Sequence, residues 1–461
     1  MSDKGAAAEA HYFRIYVIAS IAAIGGLLFG LDTGIIAGAI VQLRKEWSLN
    51  PLTEGYIVTG VLWGGLLGAA IGGKAADAIG RGATISATAA IFVVGSFWSG
   101  LADSPFWLIA GRIFVGIAVG GVSVAVPLYL SEIAPAKIRG AIVTLNQLAL
   151  VMGVLCADIV SAWFAATPEG WRYMLMAGSI PAVVLGYAML FLPASPRWLL
   201  TKRRDGSARR MLRRLGVPDE EAAICEIKKS LQATAGETTW RELLEPTTRH
   251  TLLVGLGLMF FQQFSGIGIV INYSTTIFGM TKVAGPTGNA LLTVGVGMTD
   301  VMATLTAIIL LDRFGRKLLF LSGIAVTVVC LLTLAVSFSN ITQHPKLDQW
   351  VAVISMFIYM GAFSLSLGPV SGLIVSEIYP QRVRGVAMGF VIVANWVSQI
   401  ITALTFPSLV AYFGPTATFS MYAAVGTAGF LFCYFFVPET KGLTLEEIEQ
   451  HWRAGDSPRS W

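Results

Sequence analysis

Residues 376–385 read SEIYPQRVRG and nearly repeat residues 131–140, which read SEIAPAKIRG. Each copy follows a long apolar segment and precedes another, and the two copies lie about 245 residues apart. Two further motif pairs keep nearly this spacing: DAIGR at 77–81 with DRFGRK at 312–317, and PASPR at 193–197 with PETKG at 438–442. The spacing predicts a chain built from two similar halves.

The composition is typical of a membrane protein. Of the 461 residues, 55% are hydrophobic and 13% are charged, whereas a soluble globular protein carries about 25% charged residues. Apolar runs of roughly 20 residues recur, each long enough to cross a bilayer as a helix, and they do not alternate as barrel strands do. We predict an all-α membrane protein with twelve transmembrane helices in two pseudo-symmetric six-helix bundles. The predicted spans lie near residues 15–40, 55–73, 83–101, 106–129, 140–163, 173–192, 251–278, 290–311, 318–338, 350–373, 385–407 and 417–437.

The spans divide the chain into five parts. These are a tail at 1–14, an N-terminal bundle at 15–192, a linker at 193–250, a C-terminal bundle at 251–437 and a tail at 438–461. Short linker helices are predicted at Ser207–Leu215, Asp219–Gln232 and Thr239–Leu244, with Ser207 and Asp219 as N-caps. Eight basic residues between 197 and 214 fit two compatible interpretations: a connector attracted to anionic lipid headgroups and a helical latch for an inward gate.

Basic residues predict the orientation. With the N-terminus in the cytoplasm, the external loops hold five of the 32 Lys and Arg residues, Arg112 lies inside a span, and the other 26 face the cytoplasm. This distribution obeys the positive-inside rule. We therefore predict a multi-pass plasma-membrane protein whose two tails and linker are cytoplasmic. The net charge of +5 reports this topology and does not indicate nucleic-acid binding.

One acidic and one basic residue within the predicted spans lie at a similar depth. A carboxylate at membrane depth is costly and is by default a functional site. Asp32 in the first span and Arg112 in the fourth both lie roughly 10 Å below the external surface, at 1.5 Å per residue, and are natural partners. One interpretation is a static ion pair between helices. We favour a proton site, in which Arg112 keeps Asp32 ionised and protonation releases the pair, since neutral small residues suffice for helix contacts.

Amide side chains recur on otherwise apolar helices. Amides donate and accept hydrogen bonds, which suits a hydroxyl-rich ligand, although interhelical hydrogen bonding is the alternative for each. Adjacent glutamines face different directions on a helix, so one of Gln262 and Gln263 is available for packing. The amides concerned are Gln147, Gln262, Gln263, Asn395 and Gln399.

Other patterns exclude several classes of protein. GAAIGGKA at 68–75 resembles a phosphate-binding loop, but Ala75 stands where Ser or Thr would bind magnesium and no strand precedes it. The glycines at positions 64, 68, 72, 116 and 120 instead predict close helix packing. None of the four cysteines belongs to a metal-type pair or a disulfide framework. We expect no enzyme activity, no metal and no cofactor.

The charged loop motifs suggest a gate. Opposite charges at helix ends can cross-link the two halves when the inside is shut and separate when it opens. Topology alone uses Lys and Arg, so the carboxylates argue for this mechanical role. The proposed gate residues are Asp77, Arg81, Glu132 and Arg139 in the first half, and Asp312, Arg316, Glu377, Arg384 and Glu439 in the second.

The chain resembles the sugar porter family of the major facilitator superfamily, which includes proton-coupled sugar symporters and glucose facilitators. The match runs from Gly25 to about Leu445. It is carried by GGLLFGLD at 25–32, QQFSGI at 262–267 and the three repeated motifs. The resemblance implies that Asp32 works with Arg112 in proton coupling, because facilitators usually lack that acid. It also implies that the residues matching Gln147, Gln262 and Gln263 bind sugar hydroxyls.

The departures from the family pattern concern the pocket. Gly268 stands where Asn is usual, Asp300 where helix 8 usually has Asn, and Gly372 where helix 10 usually has Trp. Together with Asn272 these residues are expected to shape the pocket, and they put the usual hexose in doubt. In the loops, Gly82 replaces a basic residue and Ala194 replaces Glu, which weakens the cytoplasmic latch only slightly.

The predicted function is proton-coupled uptake of a monosaccharide or related polyol by alternating access between two halves, carried out by a single chain. Three alternatives remain: an uncoupled facilitator, a proton symporter of a non-sugar such as a cation, and a receptor that binds sugar without transporting it. Asp300 bears on the ligand, since a buried acid without a partner stays neutral unless a cation is near. A neutral Asp300 is favoured because the glutamines suit hydroxyls.

Overall fold

The computed structural model describes residues 2–135, 138–215, 217, 219–233, 242–243, 245–310, 315–341, 345–379, 383–441, 447 and 451. These ranges contain helices and turns and no strand. The α-helices are α1 Ser2–Trp47, α2 Pro51–Ile79, α3 Arg81–Gly100, α4 Pro105–Ile133, α5 Arg139–Phe164, α6 Gly170–Ala177, α7 Ser179–Met189, α8 Pro196–Thr201, α9 Asp205–Leu215, α10 Glu220–Ala233, α11 Pro246–Phe264, α12 Ile267–Thr281, α13 Pro286–Leu310, α14 Arg316–Asn340, α15 Pro345–Ala362, α16 Gly368–Ile378 and α17 Arg384–Phe436. A π-helical segment, Phe363–Leu367, joins α15 to α16.

The helices account for all twelve predicted spans. Ten described helical stretches are long and apolar enough to cross a membrane. One of them contains α17, which Gly414 divides into the predicted eleventh and twelfth spans by a non-helical φ of 78°. The sixth span is broken at Gly178 into α6 and α7, which are too short singly to be counted among the ten.

Two other spans are interrupted close to polar residues. Gly266, with φ 100°, separates α11 from α12, a conformation that glycine adopts without steric cost. The π-helical segment interrupts the tenth span, and such bulges are frequent at functional sites. The first break closely follows Gln262 and Gln263, and the second contains Ser364.

Contacts group the chain into two compact units. One consists of Met1–Ile35, Gly60–Val160 and Trp171–Glu237; the other consists of Ile36–Thr59, Ser161–Gly170 and Thr238–Trp461. Two stretches that precede residue 192, Ile36–Thr59 and Ser161–Gly170, belong to the second unit, and the bundles at 15–192 and 251–437 stay a prediction.

Within the first unit, helices pack through glycines, as predicted. A Cβ at Gly30 of α1 would lie 1.8 Å from the carbonyl oxygen of Leu150 on α5. A Cβ at Gly64 of α2 would lie 2.0 Å from the carbonyl oxygen of Ile113 on α4. These backbones approach too closely for any side chain larger than hydrogen, which is the contact that small residues permit between membrane helices.

The linker helices share a small apolar core. The buried residues of this core are Leu199, Leu200, Ala208, Leu212 and Ile224. The prediction for Asp219 is confirmed, since its Oδ1 accepts a hydrogen bond from Ala222 N at 2.9 Å, as an N-cap does. The prediction for Ser207 is wrong, because α9 begins at Asp205. Helix α8 was not predicted, and most of the predicted helix at 239–244 lies outside the described residues.

An exposed ion pair joins α9 to α10. Arg213 Nε donates to Glu220 Oε1 at 2.8 Å. This hydrogen bond lowers the pKa of Glu220. The contact therefore stabilises the folded protein at pH values above the ordinary pKa of a glutamate, and this stability is lost as the pH falls through the lowered pKa.

Candidate functional site

A buried ion pair joins α1 to α4. Arg112 Nη1 donates to Asp32 Oδ1 at 3.1 Å, and the two residues are 2% and 6% exposed. Gly60 of α2 makes room for the arginine, since a Cβ there would lie 3.0 Å from Arg112 Cβ. Asp32 Oδ2 is buried and has no hydrogen-bond partner among the described residues. The predicted partners therefore meet, and one carboxylate oxygen remains available to a proton.

The two adjacent glutamines of α11 have different surroundings. Gln262 Nε2 donates to Leu367 O at 3.1 Å and to Ser371 Oγ at 2.7 Å. Its Oε1 accepts from Asn395 Nδ2 at 3.3 Å, so Gln262 and Asn395 link α11, α16 and α17. Gln263 Oε1 is buried and makes no hydrogen bond within the described part of the chain. Gln263 is thus the glutamine with an acceptor free for a ligand.

Asp300 of α13 has two hydroxyl partners. Ser364 Oγ, in the π-helical segment, donates to Asp300 Oδ1 at 2.6 Å, and Thr304 Oγ1 donates at 3.4 Å. The residue is 6% exposed, and no described Lys or Arg forms an ion pair with it. The expectation that Asp300 is a buried acid without a cation beside it stays a prediction, and the serine of the tenth span is a hydroxyl partner that the sequence did not indicate.

The two glycines among the predicted pocket-shaping residues each have space for a Cβ. A Cβ on Gly268 would meet Thr402 Oγ1 at 3.7 Å, which is ordinary contact, and a Cβ on Gly372 would meet nothing within 4 Å. Asn272 Nδ2 donates to Gly268 O at 2.6 Å, so this amide is used within α12. In the other unit, Gln147 is exposed on α5.

A charge cluster lies at the start of α3. Arg81 is 8% exposed, and its guanidinium bonds Ala76 O at 3.0 Å, Asp77 Oδ1 at 3.0 Å and Glu132 Oε1 at 2.9 Å. Ser195 Oγ donates to the other oxygen of Glu132, Oε2. These contacts join α2, α3, α4 and the start of α8 within the first half. The side chain of Arg139, the remaining predicted member, lies outside the described residues.

The second half repeats this arrangement at the start of α14. Arg316 Nη2 lies 3.6 Å from Glu377 Oε1, and Thr440 Oγ1 donates to Glu377 Oε2. The serine–glutamate and threonine–glutamate pairs each span 63 residues. Arg384 Nη2 donates to Tyr379 O at 3.0 Å. Asp312 lies outside the described residues.

Sequence reasoning missed some of these partners. Ser195 and Thr440 both occupy the third position of the matched PASPR and PETKG motifs. A hydroxyl at the same position of both motifs was a signal from which the two pairs could have been predicted. Glu54 was also missed: it is 3% exposed and its Oε2 accepts from Arg44 Nε at 2.8 Å. Arg44 lies at the end of α1, and its partner Glu54, ten residues ahead in α2, belongs to none of the repeated motifs.

The two clusters differ in whether a side chain caps the helix that begins there, α3 in the first half and α14 in the second. Glu439 Oε1 and Oε2 accept from the backbone N–H groups of Arg316 and Lys317 at 2.9 and 3.1 Å, so its carboxylate caps α14. The corresponding residue of the first half is Ala194. Gly80 offers no side-chain cap to α3, and a cavity of about 250 Å³ lined by Ala194, Gly80 and Arg81 among others lies there.

We therefore expect Ala194→Glu to stabilise the protein. The new carboxylate would enter the cavity and cap the first N–H groups of α3, a contact worth about 1 kcal/mol. Glu439→Ala should cost a similar amount by removing the cap of α14. Thermal unfolding of the purified protein in detergent measures both, with Ala194→Gln as the uncharged control. An unfolding temperature lowered by Ala194→Glu would contradict the proposed cap.

Comparison with known proteins agrees with this architecture. The family model described as "Sugar (and other) transporter" matches residues 18–452. A putative metabolite transport protein of Bacillus subtilis strain 168, YwtG, is 40% identical over 433 residues, covering 94% of this chain and 93% of that protein. The galactose-proton symporter of Escherichia coli K12 is 34% identical over 458 residues, covering 99% and 98%.

A solved structure extends the likeness to the fold. The xylose transporter XylE from E. coli, in an inward-open conformation, superposes with a TM-score of 0.81 at 31% identity, covering 95% of this chain and 100% of that one. The proteins that match are transporters rather than enzymes. The chain therefore belongs to the sugar transporter family, the sugar porters of the major facilitator superfamily, with the twelve-helix fold of that superfamily.

Proposed function

We propose that this sugar transporter couples the inward movement of protons to the uptake of a monosaccharide or related polyol. The observation that carries the proposal is the buried Asp32–Arg112 pair with its unpartnered Oδ2. An ionisable residue at membrane depth is by default part of an ion pathway. The names of the matching galactose-proton symporter and xylose transporter support both the coupling and the class of substrate.

In the proposed cycle, a proton from outside binds Asp32 Oδ2. Protonation removes the negative charge that holds the Arg112 guanidinium, so the contact between α1 and α4 weakens. Substrate binds the free amide groups, of which Gln263 is the clearest candidate in the second half. The two halves then rock around the bound substrate, as in other transporters with internal repeats, and the proton leaves to the inside.

The test uses the native protein in proteoliposomes with an imposed inward proton gradient. Substrate addition should alkalinise the outer medium, and labelled galactose, xylose and myo-inositol should be compared as substrates. A protonophore should abolish accumulation. Uptake that ignores the protonophore would instead identify an uncoupled facilitator.

Asp300 bears on the substrate class. In the neutral form, one oxygen accepts from Ser364 and Thr304 while the other carries a proton and donates to a hydroxyl-rich ligand. We expect Asp300→Asn to keep substrate affinity within about threefold, because the amide preserves an acceptor and a donor, and to change the pH dependence of uptake. Asp300→Ala should lose affinity because it removes both groups. If amines compete with native uptake and sugars do not, the ligand is a cation and the sugar proposal fails.

The two charge clusters are proposed to lie at the cytoplasmic face and to form the inward gate. The basic-residue count supports this orientation, and the duplication of the clusters supports a shared role. The Arg81–Glu132 pair is buried and the Arg316–Glu377 pair is half-buried, and the gate is proposed to depend on the whole network rather than on one pair. Arg384→Glu should increase the cytoplasmic labelling of a cysteine introduced at Gly372, in a protein whose exposed Cys225 has been replaced. Unchanged labelling would argue against the gate.

A further inference from the structure

A groove of about 370 Å³ lies in the first unit, where α1, the end of α7 and α9 meet. It is lined by Phe13, Arg14, Val17 and Ile18 of α1, by Phe191, Leu192 and Pro193 after α7, and by Arg214 of α9. None of these residues takes part in the ion pair of Asp32 or in the charge clusters. The groove therefore needs an explanation of its own.

One wall of the groove is apolar and exposed. Phe13, Val17 and Phe191 are 69%, 43% and 59% exposed, and Phe13 lies close to the first apolar run of the sequence, predicted near residues 15–40. The ring of Tyr187 lies 5.0 Å from that of Phe191. Aromatic side chains at the ends of spans are typical of the membrane–water interface. We therefore expect the groove to lie at the membrane–water interface, where lipid acyl chains begin.

The other side of the groove is cationic. Arg14 and Arg214 are both exposed, and neither forms an ion pair with a described carboxylate. Arg214 Nη2 donates to Phe191 O at 3.3 Å, which holds its guanidinium beside the groove. Arg209 and Arg213, on the same helix as Arg214, do form ion pairs, with Glu221 and Glu220 of α10 respectively. Arg14 and Arg214 thus leave the groove with a positive charge that no described side chain offsets.

We propose that this groove binds one anionic glycerophospholipid. Its phosphate would lie between the guanidinium groups of Arg14 and Arg214, which can each donate two parallel hydrogen bonds to phosphate oxygens. An acyl chain would cover Phe13, Val17 and Phe191 and remove their apolar surface from water. A basic pocket at the end of membrane helices is the setting in which anionic lipid headgroups bind. The lipid would join the first span to the linker helices, a role independent of the proposed proton coupling.

The test is native mass spectrometry of the full-length protein in detergent, titrated with dioleoyl phosphatidylglycerol or dioleoyl phosphatidylcholine. The native protein should retain one phosphatidylglycerol in preference to phosphatidylcholine. Each of Arg14→Gln and Arg214→Gln should weaken phosphatidylglycerol binding roughly fivefold, and the double variant roughly 25-fold. Binding of phosphatidylcholine should not change.

The matched control is the double variant Arg203→Gln with Arg210→Gln. These arginines are also exposed in the linker and lie outside the groove, so the change in charge is the same. Phosphatidylglycerol binding to this variant should change less than about twofold. An equal loss of phosphatidylglycerol binding in both double variants would show that the lipid is attracted by the overall positive charge of the linker, and it would overturn the proposed site. Equal native affinity for the two lipids, or displacement of phosphatidylglycerol by glycerol phosphate alone, would also overturn it.

Discussion

Asp32→Asn is expected to abolish gradient-driven accumulation while substrate exchange continues. With one proton per substrate, a gradient of one pH unit supplies about 1.4 kcal/mol and supports at most about tenfold accumulation. The amide cannot carry the proton, so the accumulation ratio of the variant should fall to about one. Exchange requires no net proton movement, and it should therefore persist.

The measurement compares accumulation with counterflow in the same proteoliposomes. Counterflow by Asp32→Asn would show that the variant is folded and binds substrate. Asp205→Asn is the control, because Asp205 is an exposed linker carboxylate paired with Lys228, and it should accumulate substrate as the native protein does. Accumulation by Asp32→Asn above a ratio of one would exclude Asp32 as the coupling site.

The second large effect is expected from rebuilding the pocket with Gly268→Asn and Gly372→Trp. Both positions accept a Cβ, since its nearest neighbour would lie at 3.7 Å at Gly268 and beyond 4 Å at Gly372. The new amide would contribute about 1 kcal/mol through hydrogen bonds. The indole would contribute about as much by covering roughly 40 Å² of the apolar face of a hexose. Together they predict glucose binding about 30-fold tighter than in the native protein.

Isothermal calorimetry or competition for uptake would measure this gain. Each single variant should account for about half of the gain in free energy. Gly389→Trp is the matched control, since a Cβ at Gly389 also meets nothing within 4 Å and this glycine was not assigned to the pocket. Tight glucose binding by the native protein, or no gain in the double variant, would contradict this account of the pocket.

The architecture could be predicted because its signals are long and repeated. Twelve apolar runs are each long enough to cross a bilayer, and three duplicated motifs divide them into two halves. The partnership of Asp32 with Arg112 could also be predicted, because the equal depth of two opposite charges leaves few other partners. These inferences depend on helix geometry and the cost of burying charge, and neither needs the exact packing.

The local roles of the polar residues could not be predicted in the same way. Whether Gln262 or Gln263 packs against other helices depends on helix rotation, which Gly266 and the π-helical segment alter. The same segment brings Ser364 to Asp300. A π-helical turn follows from local hydrogen bonding rather than from hydrophobic periodicity. The sequence therefore identified the polar positions without their partners.

The hydroxyl–glutamate pairs have a consequence for how the chain can be divided. Glu132 and Ser195 both precede α10, whereas Glu377 and Thr440 both follow α11. Cutting the gene between α10 and α11 and co-expressing the two fragments would leave both partners of each pair on one polypeptide. Each fragment would keep its own hydroxyl–glutamate hydrogen bond, which joins the end of its fourth span to the residues after its sixth. This transporter is therefore suited to split-protein complementation at that point.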